Sequence, residues 1–154
     1  MARMCVTLLH MREIRTEITL PYSCSRVWAL LTKFSHYEHW NPFIIEGCGR
    51  AEVGAIPSFT ISPPGGKAMR FKPTLLVVES ERELRWRGKL LLPGLFDGEH
   101  IFELHSTPNG GCHLTHREQF SGLLVPLIWG MVEKPTRAGF ELMNLAIGEE
   151  LARS

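Results

Sequence analysis

The sequence lacks an excess of either charge. Seventeen basic residues meet sixteen acidic ones over 154 positions, a formal net charge of +1. Nucleic-acid binding through phosphate neutralisation wants a basic stripe or patch, so that class of partner is not expected. No apolar run approaches the ~20 residues of a membrane span. No CxxC or Cys/His pair has zinc-ligand spacing. The four cysteines, Cys5, Cys24, Cys48 and Cys112, are widely scattered, the pattern of reduced core thiols in a domain of this size. No glycine-rich phosphate loop follows a strand and opens a helix, because PPGGK at 63–67 reads as a hairpin turn. No G-x-S-x-G elbow exists. His36 and His39, three apart with Glu38 between them, make a poor zinc set on a short surface helix. No metal and no cofactor is expected.

What is present is apolar and aromatic. Hydrophobic residues make up 44% of the chain, with eight Phe, four Trp and two Tyr. That suits one domain with one sizeable core and argues against disorder. The N-terminal MARMCVTLLHM is only faintly like a signal peptide. Its apolar stretch, Val6 to Leu9, is too short and no small-residue cleavage site follows. Residues 1–11 are therefore expected to be a disordered leader, with Met11 as an alternative start. Residues 12–154 are expected to form one domain, in the cytoplasm.

Residues 12–20 alternate, with Ile14, Ile18 and Leu20 on one face and Arg15 and Glu17 on the other, as in a half-buried strand. Pro21 ends it. Ser23 makes a good N-cap for a short helix in which Val27, Leu30, Leu31 and Phe34 share one side. After Pro42 the pattern turns to strands separated by Gly, Pro and Asn-Gly punctuation, Asp97-Gly98 included. Six runs are β-like: PFIIEGC, IPSFTIS, MRFKPTLLVVES, LRWRGKLLL, EHIFELHS and CHLTHREQF. Short loops between them imply an antiparallel meander. From Pro126 to Arg153 one long helix is expected, kinked at Pro135. It carries two apolar stripes, Phe140/Met143/Ile147/Leu151 and Ala138/Leu142/Leu145, so cover on both sides is expected. The order is β-α-α-β6-α. The fold class is α+β: a strongly curved antiparallel sheet of about seven strands wrapped around a long C-terminal helix. A gap between sheet and helix would be a ligand cavity.

Three segments carry a resemblance: SRVWALLTKFSHYEHWNPF at 25–43, LRWRGKLLLPGLFDGEHIFEL at 84–104, and HREQFSGLLVP at 116–126 followed by RAGFELMNLAI at 137–147. With them the chain resembles the START-like, helix-grip (SRPBCC) superfamily, which includes the birch-pollen-allergen type. It is most similar to the bacterial polyketide cyclase/dehydrase-like branch. The resemblance implies the helix-grip fold. It implies little about function, because lipid carriers, receptors, cyclases, hydrolases and chaperone cofactors share that scaffold.

Strand alternation then assigns faces. Leu84, Trp86 and Leu90 point inward, opposite Arg85, Arg87 and Lys89. His100, Phe102 and Leu104 share a face, as do Leu114, His116, Glu118 and Phe120. Three titratable groups, His100, His116 and Glu118, thus fall on an otherwise apolar side. They either orient a hydrophobic ligand, or run acid–base chemistry, or hydrogen-bond one another as structure. Trp40 either walls the cavity mouth or plugs the open end of the sheet, and Asn41 either hydrogen-bonds a ligand or caps a turn. Phe59, Phe71, Phe140 and Met143 read as core that also serves as cavity wall. The candidate ligand-binding set is Trp40, Phe59, Trp86, His100, Phe102, His116, Glu118, Phe120, Phe140 and Met143. No catalytic residue is assigned. The run LLLPGLF at 90–96 reads as a lid, a homodimer contact or ordinary packing. The expected partner is a hydrophobic small molecule, aromatic, polyketide-like or lipid-like. The alternatives are a polyketide cyclase/aromatase-type enzyme using the same cavity and a chaperone-activator-like module using the outer face.

Overall fold

A computed structural model describes residues 11–90 and 92–154. The expected leader and Cys5 therefore lie outside the described residues, Met11 excepted. The elements are β1 (Arg12–Leu20), α1 (Cys24–Thr32), α2 (Tyr37–Trp40), β2 (Ile44–Cys48), β3 (Ser58–Ile61), β4 (Met69–Phe71), β5 (Thr74–Glu79), β6 (Glu83–Leu90), β7 (Phe96–Ser106), β8 (Cys112–Ser121) and α3 (Val125–Arg153), with a 3-10 turn at Phe34–His36. All pairings are antiparallel. One sheet has the order β1-β8-β7-β6-β5 and the other β2-β3-β4. This is the helix-grip arrangement, with eight strands where about seven are expected.

The extra strand has a simple cause. The run MRFKPTLLVVES contains Pro73, which has no N–H to give a ladder. The chain breaks there into β4 and β5, and the two halves join different sheets. A second correction concerns Asp97-Gly98. The dipeptide reads as a turn, yet both residues lie inside β7 and pair with β6 and β8.

Local chemistry sets the helix ends. Ser23 Oγ accepts a hydrogen bond from the Arg26 amide at 3.3 Å and caps α1. After α2, Asn41 Oδ1 accepts from the amides of Phe43 (3.0 Å) and Ile44 (2.8 Å), which turns the chain into β2. Helix α3 runs as one assigned element through Pro135. That residue cannot donate to the carbonyl of Met131 four positions back. Phe140, Met143, Ile147 and Leu151 are buried. The second stripe is not covered: Leu142 is 45% and Leu145 59% exposed. The helix packs against β1, β8, α1 and α2, and no further described element covers its other side.

The core is one aromatic and aliphatic cluster between the sheets and the helices. Cys24 on α1 meets Cys112 on β8 with 2.7 Å between the sulfurs, both thiols buried and unbridged. Cys48, expected in the core, is exposed. On the outer face Ile101 is fully buried because Arg85 and Arg117 flank it in register. Their stems shield it while their guanidiniums pair with Glu83, Glu99, Glu103 and Glu13.

Two glycines of α3 make the packing testable. A Cβ on Gly139 would collide with the Phe43 ring, which meets Phe140 edge-on at 5.5 Å. A Cβ on Gly130 would meet nothing within 4 Å. Gly139→Ala should therefore destabilise by about 1–3 kcal/mol, while Gly130→Ala should stabilise by about 0.5–1 kcal/mol through helix propensity. Urea unfolding of both variants checks this. Equal stabilisation by the two would show that the helix is not seated on Phe43.

Candidate functional site

The site grows from one uninterrupted register. Strands β6, β7 and β8 pair without a bulge, so rows of side chains run straight across the concave face. One row is Trp86, His100 and Glu118. The next is Leu84, Phe102 and His116, continued on β1 by Thr16. On the other side comes Gly88, Gly98 and Phe120. Two glycines face each other where every neighbouring row carries large side chains. That bare stretch of backbone forms part of the wall of a cavity of about 460 Å³. The volume falls within the range of small-molecule sites. Its walls are apolar: Phe43, Ile61, Phe71, Trp86 and Phe96 on one side, and Ile128 and Val132 from α3 on the other.

Four of the ten candidate residues line this cavity: Trp86, His100, Glu118 and Phe120. The other six, Trp40, Phe59, Phe102, His116, Phe140 and Met143, are buried but do not line it. They form the layer behind. Phe59 packs on Trp86 with 4.9 Å between ring centres, and Phe140 stacks on His116 at 4.0 Å. Trp40 packs edge-on against Tyr37 at 5.3 Å. In the run at 90–96, Leu92 is 66% exposed, while Phe96 begins β7 and packs against Phe120.

The polar groups form a chain with a fixed direction. Thr16 Oγ1 donates to the His116 carbonyl at 3.0 Å, so its oxygen is free to accept from Asn144 Nδ2 at 2.9 Å. The other end of that amide, Asn144 Oδ1, must then accept, and its partner at 2.8 Å is His116 Nδ1. His116 therefore carries its hydrogen on Nδ1. Burial, the neighbouring His100 and the loss of water hold its pKa well below 6.5, desolvation being the largest cause, so the ring is neutral and Nε2 is a bare acceptor. His100 Nε2 lies 2.7 Å away and must donate to it. His100 is neutral too, its pKa pushed down to about 3 by burial. Its Nδ1 is consequently a bare acceptor, and it points at Glu118 Oε2, 3.5 Å away.

Glu118 faces that nitrogen across 3.5 Å with no hydrogen bond formed between them. Burial raises its pKa to about 8, so near neutral pH it is a carboxylic acid. Its side chain keeps 19% exposure, and it opens on the cavity. The carboxyl lies over Gly98, where a Cβ would collide with Oε1. Trp86 stacks on His100 at 4.7 Å and 18°, which holds the ring plane. The arrangement offers a ligand one protonated acid backed by two neutral imidazoles, and no formal charge at that end of the cavity.

Asn144 is the functional-looking residue that alternation missed. Its signal was a polar side chain beside Met143, four residues from Phe140 on the buried stripe. Among the described residues no group of three or more His, Cys, Asp or Glu side chains could hold a metal ion. No described helix is long and apolar enough to cross a membrane.

The curved antiparallel sheets gripping a long helix define a START-like protein. The family model for polyketide cyclase/dehydrase and lipid transport proteins matches residues 11–147, and the chain belongs to that family. No curated protein sequence matches. Among solved structures, a Mesorhizobium loti protein is similar at 23% identity and TM-score 0.66, with 93% of this chain and 98% of that chain covered. A START superfamily protein from Mycobacterium smegmatis is similar at 15% identity and TM-score 0.73, covering 92% and 97%. Norcoclaurine synthase from Thalictrum flavum, solved with dopamine and hydroxybenzaldehyde, is similar at 17% identity and TM-score 0.72, covering 99% and 94%. At these identities the likeness is one of fold.

The buried groups give the site a pH signature. An unfolded chain protonates His100 and His116 below pH 6.5, whereas the folded one does not, so stability is lost as pH falls from 6.5. An unfolded chain ionises Glu118 above pH 4.5, whereas the folded one holds the proton to about 8, so stability is also lost as pH rises through that window. Two histidines outweigh one glutamate on the acid side, the two effects balance near 6.5, and the glutamate increasingly prevails above it. The site's contribution should peak near pH 6.5 and fall above it by less than about 1 kcal/mol per pH unit. Urea midpoints should drop between pH 6.5 and 8 in the native chain and less in Glu118→Gln. Identical pH profiles for the two would mean that Glu118 is ionised in the fold.

Proposed function

We propose that the chain binds a hydrophobic small molecule, aromatic, polyketide-like or lipid-like, in the cavity between β6–β8 and α3. The observation that carries this reading is the facing pair Gly88 and Gly98. Together they leave an apolar space of about 460 Å³ open beside an otherwise close-packed aromatic core. Affinity comes from apolar burial, about 25 cal/mol per Å² removed from water. Orientation comes from Glu118, whose acid can donate to or accept from a neutral ligand group. His100 stands beside it, and the hydrogen-bonded chain through His116, Asn144 and Thr16 keeps His100 in place. Membership of a family that includes lipid-transport proteins supports the same reading.

A second reading has a specific observation in its favour. A protonated carboxyl beside a bare imidazole nitrogen is a general acid with a base behind it. That is what cyclisation or dehydration of a polyketide-like substrate uses, so a cyclase/aromatase-type enzyme is the alternative. The chaperone-activator reading gains nothing, since it would suit a cavity filled by the chain's own side chains.

Native mass spectrometry of freshly purified protein should find a co-purified small molecule, lost on denaturation. Gly88→Leu fills the cavity from a position where a Cβ comes no closer than 3.5 Å to Phe71. It should weaken binding of the neutral dye N-phenylnaphthylamine by at least about tenfold while costing under about 1.5 kcal/mol of stability. Unchanged dye binding in a folded Gly88→Leu chain would place the ligand elsewhere. Chemistry would show as a substrate turned over by the native chain and spared by Glu118→Gln.

A further inference from the structure

Helix α3 keeps an apolar face that no described element covers. Leu127 is 77% and Met131 71% exposed, Leu142 and Leu145 stand out with them, and Ala138 lies half-buried between. Met131 also borders the cavity opening. At about 3.6 residues per turn these positions form one strip, on the side of α3 opposite the buried Phe140, Ile147 and Leu151. Leu127, Ala138 and Leu145 run along its middle. Met131 and Leu142 follow one edge. Lys134 and Glu141 follow the other, both exposed. Glu133 and Glu150 pair along the helix with Arg137 and Arg153, whereas Lys134 and Glu141 meet no opposite charge among the described residues. They sit two turns apart, too far to reach each other.

The strip complements itself when a second copy is turned end for end. A twofold axis perpendicular to two antiparallel helices sets each edge against the same edge of the other copy. With that axis between Pro135 and Ala138, Leu127 meets Leu145 of the second copy, Met131 meets Leu142, and Lys134 meets Glu141. At about 1.5 Å of rise per residue, all three pairings fall within about 3 Å of level. Symmetry makes each pairing twice. Glu149 of one copy then lies level with the first turn of α3 in the other, a turn with no acidic residue and no side-chain cap. A parallel pair would instead lay the charged edge of one helix on the apolar edge of the other, which strands Lys134 and Glu141 without partners. We propose that the chain forms a homodimer through this seam, an antiparallel pair of α3 helices with Lys134 of each copy paired to Glu141 of the other. One helix pair is a small interface, so the expected Kd is about 1–100 µM.

Sedimentation velocity of the full chain from about 1 to 300 µM tests this, and should show monomer giving way to dimer. Lys134→Glu and Glu141→Lys each set like charges across the seam, and each should weaken dimerisation at least about tenfold. Mixed one to one, the two variants regain opposite charges at both pairings, so the mixed dimer should form within about twofold of the native affinity. The double variant carrying both changes in one chain should do the same. Leu145→Lys, on the middle of the strip, should weaken dimerisation at least about tenfold and leave the thermal midpoint of the monomer in place. All these positions are exposed in the single chain, so the variants keep their fold. A native chain still monomeric at about 300 µM leaves the strip to some other cover and overturns the proposal. A dimer that neither charge reversal weakens places the interface elsewhere and overturns it too. So does a mixture of the two charge variants that stays monomeric.

Discussion

One hydrogen-bond register, joining β6 to β7 and β7 to β8, decides which side chains meet on the concave face. Strand side chains alternate with a period of two, so a slip by one residue exchanges the faces. Trp86, His100 and Glu118 would then turn outward, and Arg85, Ile101 and Arg117 would take their places. The outer face resists the slip as firmly as the inner one does. There Arg85 and Arg117 pair with glutamates on both sides of Ile101. Inside, His100 and His116 can be neutral and hydrogen-bonded only while their rows stay aligned. Charge outside and neutral polarity inside therefore specify one register together.

The cavity follows from the same alignment. Gly88 and Gly98 fall opposite each other, and the row they occupy is left open beside Phe120. Closing the space with side chains would add core at that point, so the pair of glycines trades packing for volume. Helix α3 completes the enclosure with Ile128 and Val132 and anchors it through Asn144, whose amide reaches Thr16 on β1 and His116 on β8. The site thus ties the first strand, the last strand and the last helix into one unit.

Much of this was legible in the sequence, for physical reasons that can be named. Alternation assigned the faces of β7 and β8 because neither ladder contains a bulge. The same rule weakens in β5, where the register shifts between Leu75 and Val77 and Leu76 turns outward. The helix stripe from Phe140 to Leu151 was readable from its spacing, and the resemblance supplied the fold class. Two things were hidden. Asp97-Gly98 carries a strong local turn signal, but the ladder on both flanks overrides it. Asn144 gains its meaning from partners on β1 and β8, far away in the chain. The second apolar stripe of α3 shows the opposite failure: spacing implied a cover that the described residues do not supply.

The central claim is that the inner end of the cavity is polar yet uncharged, with its hydrogens running in one direction from His100 through His116, Asn144 and Thr16 to the His116 carbonyl. Nitrogen-15 spectra of the imidazole rings near neutral pH test it most directly. The account predicts two neutral rings of opposite tautomer, His116 protonated on Nδ1 and His100 on Nε2, unchanged down to the onset of acid unfolding. A positively charged ring at either position, or the same tautomer on both, would contradict it.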